Sequence, residues 1–171
     1  TAQNPYKGGK NAKIVIQLFS DFECPFCGRV EPVMEEILAK YGDKVKVVWR
    51  QFPLAFHKNA KLAAEASVEV FKQKGDAAFW KYHNTLFQNQ KALERADLEK
   101  YAEELGCDMA KFRAALDNHT HAKFVEDEIA VAEKAGIRGT PASVINGYFV
   151  SGAQPFAQFE KILKLAESEL K

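Results

Sequence analysis

Two cysteines, Cys24 and Cys27, lie two residues apart, directly after an apolar run and at the start of a segment with helical periodicity. The apolar run, Lys13–Phe19, is nearly continuous, which is typical of a strand buried on both faces of a sheet. The first N–H groups of a helix have no partner within it, and the helix dipole favours negative charge there. A thiolate is therefore stabilised at this junction, and a second thiol one turn away makes a pair able to cycle between dithiol and disulfide.

The segments that follow extend this junction to a β-α-β unit. Apolar residues recur at helical spacing from about Pro25 to Lys40, and Gly42 ends the predicted helix. Lys44–Phe52 is rich in β-branched residues and predicts a second strand. Two strands joined through a helix run parallel, with a right-handed crossover.

The middle of the chain, from His57 to Gly136, has helical periodicity and no convincing strand. Five segments in it are predicted to be helical, at roughly 57–74, 76–89, 95–105, 108–117 and 119–135. This length of helix without a strand predicts a helical block.

The sequence after the helical block returns to strand patterns. Ala142–Ile145 and Tyr148–Ser151 predict two short strands, joined by Asn146-Gly147. Asn-Gly is the dipeptide most typical of a two-residue hairpin. Pro155 then begins a last helix with one apolar face.

The composition is that of a single globular domain. The chain has 171 residues, of which 47% are hydrophobic, and a formal net charge of +1. That length allows one sizeable core, and the near-zero charge argues against nucleic-acid binding. No apolar run has the length of a membrane span. Because the chain begins at Thr1 rather than Met, we expect that an upstream signal peptide or anchor has been removed or omitted.

Four features occur in a fixed order along the chain. They are FSDFECPFC after the first strand, Pro32 five residues past the second cysteine, the helical block in mid-chain, and GTPASVING (Gly139–Gly147) at the hairpin. Together they resemble the thioredoxin-fold disulfide oxidoreductases of the DsbA-like family, from about Lys13 to the C-terminus.

This resemblance implies an α/β thioredoxin fold, in which a mixed central sheet is flanked by helices and carries an inserted all-helical subdomain. We place an N-terminal arm at 1–12, the thioredoxin-fold domain at 13–56 and 137–171, and the helical insertion at 57–136.

The resemblance also implies the site. Cys24, before the helix, is expected to be the exposed, reactive sulfur, and Cys27 the buried resolving partner. In this family the proline at the position of Pro141 is cis and lies beside the cysteines, so a substrate could pair with the Thr140 backbone in extended form. The resemblance thus implies that four residues contact the substrate: Pro25, Phe26, Thr140 and Pro141.

The chain departs from the family pattern at two positions. Phe26 supplies no imidazole between the cysteines, so we predict a Cys24 thiolate pKa between the extremes of such motifs, about 3.5 and about 7. Leu18, with Gln17 beside it, stands where many members carry a buried acid. We therefore expect proton transfer at Cys27 to use water or Glu23.

These expectations favour a protein thiol-disulfide oxidoreductase, acting as a dithiol oxidase without a bound cofactor or metal. Its expected partners are cysteine-containing unfolded or secreted polypeptides, and a membrane reoxidase or reductase that resets the active site. The expected location is periplasmic or otherwise extracytoplasmic. Phe22, Phe26 and Phe56 are predicted to line an apolar surface for unfolded chain.

Two alternatives remain open from the sequence. One is a disulfide isomerase or reductase of the same fold. The other is a copper or zinc carrier that binds metal through Cys24, Cys27 and His57, although His57 is better explained as a capping or surface residue at a helix start. The third cysteine, Cys107, is predicted to be a small core residue without a redox role.

Overall fold

A computed structural model describes residues 4–170. Five strands and six α-helices follow one another along them in the order β1 (Tyr6–Gly8), β2 (Ile14–Ser20), α1 (Pro25–Tyr41), β3 (Val45–Gln51), α2 (Ala60–Gln88), α3 (Arg95–Glu104), α4 (Met109–Asp117), α5 (Ala122–Lys134), β4 (Ala142–Ile145), β5 (Tyr148–Ser151) and α6 (Phe156–Ser168). Within the described residues the chain forms two compact units. The sheet unit comprises 4–20, 26–50 and 139–170, and the helical unit comprises 21–25 and 51–138.

The sheet unit is built on one sheet with the strand order β1-β3-β2-β4-β5. β1 pairs with β3, β2 with β4, and β4 with β5, all antiparallel. Because the sheet is mixed, its remaining pair, β2 and β3, runs parallel, as the crossover through α1 requires. α6 packs on β2 and β4 and buries Phe159 and Leu163. The mixed sheet flanked by helices confirms the predicted fold class.

The predicted N-terminal arm contains a strand that the sequence did not indicate. β1 pairs Tyr6 with Val48 and Gly8 with Lys46, although residues 1–3 of the arm lie outside the described part of the chain. Gly8 has φ +93°, and a Cβ atom at this position would stand 2.1 Å from the carbonyl oxygen of Val45. The glycine, which suggested an irregular arm, is therefore what lets the backbone of β1 approach β3 so closely.

The helical unit contains α2 to α5 and confirms the predicted helical block. α2 extends from Ala60 to Gln88 with one non-helical residue, Gly75, at φ +84° and ψ −168°. The predicted break between 74 and 76 falls at this residue. Ala64 and Val68 of α2 pack with Val125 of α5 in a buried apolar cluster. Among residues 4–170, no helix combines the length and the apolar character needed to cross a membrane.

Candidate active site

The two cysteines lie at the beginning of α1, as predicted. Pro25 is the first residue of α1, Cys24 immediately precedes it, and Cys27 lies in the first turn. Proline suits a first helical position because its missing N–H would have no partner there. The motif residues 21–25 belong to the helical unit, and Cys27 belongs to the sheet unit.

The predicted exposure of Cys24 is wrong. Cys24 is only 3% exposed and Cys27 is fully buried. The peptide around Cys24 is fixed on both sides: its N–H donates to the carbonyl of Asp21 at 3.2 Å, and its own carbonyl accepts from Nε2 of Gln90 at 2.9 Å. Phe22, two residues earlier, is itself buried. The motif therefore sits against its surroundings and does not project into solvent.

Asp21 organises the turn that leads into the motif. Its carboxylate is fully buried. Oδ1 accepts from the N–H of Glu23 at 2.7 Å, and Oδ2 accepts from the N–H of Leu54 at 2.8 Å and from Nδ1 of His57 at 2.7 Å. Three donors satisfy a buried carboxylate that would otherwise be costly to remove from water. The sequence alone does not single out Asp21, since an acid before a C-x-x-C motif gives no sign of where its partners lie.

The structure places Glu23 and His57 in the same region. Oε1 of Glu23 accepts from the N–H of Asn59, the residue before the first turn of α2, at 3.0 Å. His57 lies three residues before α2 begins, and its ring is directed to Asp21. His57 is therefore a partner of a buried carboxylate, which differs from the capping or surface role predicted for it at a helix start.

Gln90 is a second residue that the sequence analysis did not single out. It lies in the loop between α2 and α3, and its Nε2 donates to the carbonyls of Phe22 and Cys24, each at 2.9 Å. An amide NH₂ group has two hydrogens, so both are used on the backbone of the motif. A separation of more than 60 residues hides this contact from any local pattern.

The sheet unit carries the other predicted substrate-contact residues. Phe26 is 53% exposed, and the guanidinium of Arg29 lies over its ring, 4.9 Å from the centroid. The Thr140–Pro141 peptide bond is cis, and the carbonyl of Pro141 accepts from the N–H of Gly152 at 2.9 Å. Arg29 is a further residue beside the motif that the sequence analysis did not consider.

The position expected to carry a buried acid in many relatives is apolar here. Leu18 is 2% exposed, in β2. Its neighbour Gln17 accepts a hydrogen bond from Arg50 of β3, and the Arg50 guanidinium lies 5.2 Å from the centroid of the Phe19 ring. A neutral amide and an arginine thus stand beside the position where an acid was expected.

Only two of the three phenylalanines predicted to form an apolar surface are exposed. Phe26 and Phe56 are 53% and 79% exposed. Phe22 is buried against two aromatic residues of α2. Its ring centroid lies 6.0 Å from that of His83 and 5.3 Å from that of Phe87, so Phe22 is part of the core. His83 is itself buried.

Cys107 has the buried position predicted for it. It is 8% exposed and follows Gly106 in the turn between α3 and α4. Burial raises the pKa of its thiol, and the nearby Glu69 carboxylate raises it further, while Lys74 acts in the opposite direction. A thiol with a raised pKa carries little of the reactive thiolate form.

Residues 4–170 contain no group of three or more histidine, cysteine or acidic side chains arranged to hold a metal ion. Cys24, Cys27 and His57 therefore do not form the metal site of the alternative hypothesis in this structure, and the His57 ring nitrogen Nδ1 is engaged with Asp21.

Comparisons with known proteins agree with this geometry. A thioredoxin family model matches residues 1–165. Over 99% of its length the chain is similar to a linker-deletion mutant of ScsC from Proteus mirabilis, with 30% identity, a TM-score of 0.81 and 77% of that chain covered. It is also similar to oxidised BdbD from Bacillus subtilis, with 27% identity and a TM-score of 0.80 over 98% of this chain and 93% of that one.

The curated relatives are much longer proteins. The sequence named Na(+)/H(+) antiporter NhaA 3 from Salinispora tropica is 37% identical over 142 residues, which are 82% of this chain and 21% of the relative. The chain thus spans about a fifth of the length of the curated relatives it matches. The fold, the C-x-x-C pair at the start of α1 and the family match over 1–165 lead to one conclusion: the chain belongs to the thioredoxin family.

Proposed function

We propose that this enzyme is a dithiol oxidase, which transfers the Cys24–Cys27 disulfide to pairs of cysteines in polypeptide substrates. The observation that carries the proposal is the position of the two thiols, one immediately before the first residue of α1 and the other in its first turn. Unpaired N–H groups at this position favour a Cys24 thiolate. A stable thiolate stabilises the reduced enzyme, and this makes the disulfide form a good oxidant.

The reaction proceeds by two exchanges. A substrate thiolate attacks Sγ of Cys24, the Cys24–Cys27 bond breaks, and Cys27 leaves as a thiolate that takes up a proton. A second substrate thiolate then attacks the substrate sulfur of the mixed disulfide, and Cys24 leaves as a thiolate. The substrate loses two electrons and two protons as its disulfide forms, and the enzyme gains both electrons in its dithiol.

We assign substrate recognition to four residues: Pro25, Phe26, Thr140 and Pro141. The exposed ring of Phe26 offers apolar contact to an unfolded chain. An extended substrate is proposed to pair with the backbone at Thr140, in the manner of strand addition. Proton transfer at Cys27 through water or Glu23 stays a prediction, which the rate of exchange in Glu23→Gln across pH would test.

The cycle needs an oxidising compartment and a second protein. Each turnover leaves a dithiol, so a redox partner, proposed to be a membrane reoxidase, must remove two electrons to restore the disulfide. Substrate disulfides persist only outside the reducing cytosol. We therefore propose a periplasmic or other extracytoplasmic location.

Equilibration of the Cys24–Cys27 pair with glutathione buffers tests the proposal. A potential near about −120 mV supports an oxidase, whereas one near about −270 mV would assign the protein to the reductases and overturn it. In a thiol-oxidation assay on a reduced unfolded polypeptide, Cys24→Ser and Cys27→Ser are each expected to abolish activity, because neither variant can carry the Cys24–Cys27 disulfide. Offered a polypeptide that already contains a disulfide, Cys27→Ser is expected to accumulate a mixed disulfide through Cys24, with the other substrate cysteine released as a thiol. Cys107→Ala is the matched control and keeps full activity, because Cys107 is buried in another part of the chain.

A further inference from the structure

The segment that carries Cys24 is held by side chains of the helical unit. Residues 21–24 form a tight turn in which the N–H of Cys24 donates to the carbonyl of Asp21, at 3.2 Å. The carboxylate of Asp21 closes the same turn by accepting from the N–H of Glu23 at 2.7 Å. A turn of this type is reinforced by the aspartate that begins it.

Two carbonyls of the turn point to a single side chain. Gln90 donates both amide hydrogens, one to the carbonyl of Phe22 and one to that of Cys24, at 2.9 Å each. One planar amide that bonds two carbonyls fixes their directions together. The Phe22–Glu23 and Cys24–Pro25 peptide groups are thereby prevented from rotating independently.

The far side of Asp21 attaches the turn to the loop after β3. Oδ2 accepts from the N–H of Leu54 and from His57, at 2.8 and 2.7 Å. The Asp21 carboxylate is fully buried, and the His57 side chain is 19% exposed. His57 is thus a partner of Asp21 that solvent reaches.

From these contacts we infer that Gln90 and the Asp21–His57 pair are positioning residues for Cys24, which orient its peptide so that its sulfur faces the N-terminal amides of α1 and its thiolate is stabilised. This inference rests on the proposed function. Stabilisation by a helix N-terminus falls off within the first turn, so a peptide that rotates freely loses much of it. The three side chains act through the backbone of the turn.

Gln90→Met tests the carbonyl side of this arrangement without changing any charge. Methionine has a similar shape and no donor, so both hydrogen bonds to the turn are lost while Asp21, Glu23 and His57 keep their charges. We expect about 3- to 10-fold less Cys24 thiolate at pH values below its midpoint. The measurement is alkylation of the reduced full chain by iodoacetamide across pH, with the modified Cys24 peptide quantified by mass spectrometry.

The matched control is Gln154→Met. Gln154 also donates from its amide to a carbonyl, that of Ser151, at 2.9 Å, but it lies in the sheet unit after β5. Its titration of Cys24 is expected to equal that of the wild type.

Two substitutions at His57 test the carboxylate side and keep the inference testable should Gln90→Met fail to fold. The amide nitrogen of asparagine stands close to the place of Nδ1 in histidine, whereas that of glutamine extends toward the place of Nε2. His57→Asn is therefore expected to retain the wild-type Cys24 titration, and His57→Gln to reduce the thiolate about 3-fold. His119→Gln, which alters a comparable contact with Glu65 at 3.1 Å, is the control and leaves Cys24 unchanged.

The outcomes separate this inference from the proposed function. Should Gln90→Met and His57→Gln titrate at Cys24 like the wild type, the positioning role is wrong, and it is equally wrong if these variants lose thermal stability and nothing else. Should the wild type fail to exchange disulfides with glutathione, the proposed function is wrong, and the alkylation titration still decides whether these residues orient Cys24.

Discussion

The interiors of the two units contain different kinds of side chain. Among the described residues, the polar groups buried in the sheet unit are uncharged: Asn4, Ser20 and Ser143. Those buried in the helical unit include every buried ionisable side chain outside the cysteines and tyrosines: Asp21, Glu65, Glu69, His83 and Glu128. The sheet unit therefore depends on apolar burial, and the helical unit depends in addition on specific polar contacts.

Three buried carboxylates of the helical unit are each paired with a histidine. Glu65 of α2 contacts His119 at 3.1 Å and Glu69 contacts His121 at 2.7 Å, and both histidines lie in the turn between α4 and α5. Asp21 is paired with His57 in the same way, at 2.7 Å. A buried charge that is paired contributes little net stability. Removing its partner leaves the charge unpaired in a low-dielectric interior, and this is strongly destabilising. We therefore expect truncation of a buried side chain to lower the free energy of unfolding for a different reason in each unit.

The largest effect is expected in the apolar interior of the sheet unit. Phe159 of α6 is fully buried, so Phe159→Ala should lower the free energy of unfolding by about 3–5 kcal/mol, through lost apolar burial and a residual cavity. Neither contribution involves a titrating group, so denaturant unfolding of the reduced protein should give the same loss in mildly acidic and mildly basic buffer. A loss that varies with pH would contradict the view that this interior depends on apolar burial.

A smaller loss is expected when a carboxylate of the helical unit loses its histidine. His121→Ala leaves the Glu69 side chain, 11% exposed, with Gln73, which donates to its other oxygen at 2.6 Å. Leaving a buried charged group short of a donor costs roughly 1–3 kcal/mol. Denaturant unfolding measures this loss of stability. Thr120→Ala, at an exposed neighbouring residue, is the control, and it is expected to have no effect. Equal stabilities of the two variants would show that the pair is dispensable.

The same contrast explains what the sequence could predict. Asn146-Gly147 and Gly75 mark a hairpin and a helix break correctly, because both depend on backbone preferences within a few residues. The backbone of Cys24 is contacted by Gln90, 66 residues away, and the Asp21 carboxylate by His57, 36 residues away, so no local pattern contains either contact. β1 was not predicted for a third reason. Gly8 permits a close approach of β1 to β3, and the sequence of β1 alone does not indicate this contact.

Two buried serines offer a matched comparison of the units. Ser67 of α2 donates to the carbonyl of Ala64 at 2.7 Å and accepts from Gln51 at 2.8 Å. The hydroxyl of Ser143 in β4 finds no partner within residues 4–170. Ser67→Ala should cost about 1–2 kcal/mol, because it leaves the Gln51 amide unsatisfied, whereas Ser143→Ala should be neutral or stabilise by up to about 1 kcal/mol.

Thermal and denaturant unfolding of both serine variants gives the sign directly, since the chemical change is identical and both residues are fully buried. If the two substitutions had the same sign, the distinction between a satisfied and an unsatisfied buried hydroxyl would not hold.

The smallest effect concerns the surface, where the two units are alike. Arg113, at 2.6 Å, and then Arg95 hold the pKa of Glu99 below its usual value, although partial burial opposes them. In the sheet unit, Lys40 and Tyr41 likewise lower the pKa of Glu160. Because ion pairs of this kind occur in both units, the contrast between them applies to their interiors alone.

Glu99→Gln tests the sign of this surface contribution. A carboxyl whose pKa is lowered by folding contributes stability above its unfolded pKa, and that stability is lost as the pH falls through the folded pKa. The variant should thus be less stable than the wild type by up to about 1 kcal/mol at neutral pH. The difference should shrink on acidification and vanish below the folded pKa of Glu99, as followed by denaturant unfolding over an acid series. A difference that persists in acid would assign the contribution of Glu99 to packing, since protonation removes its charge but keeps its volume.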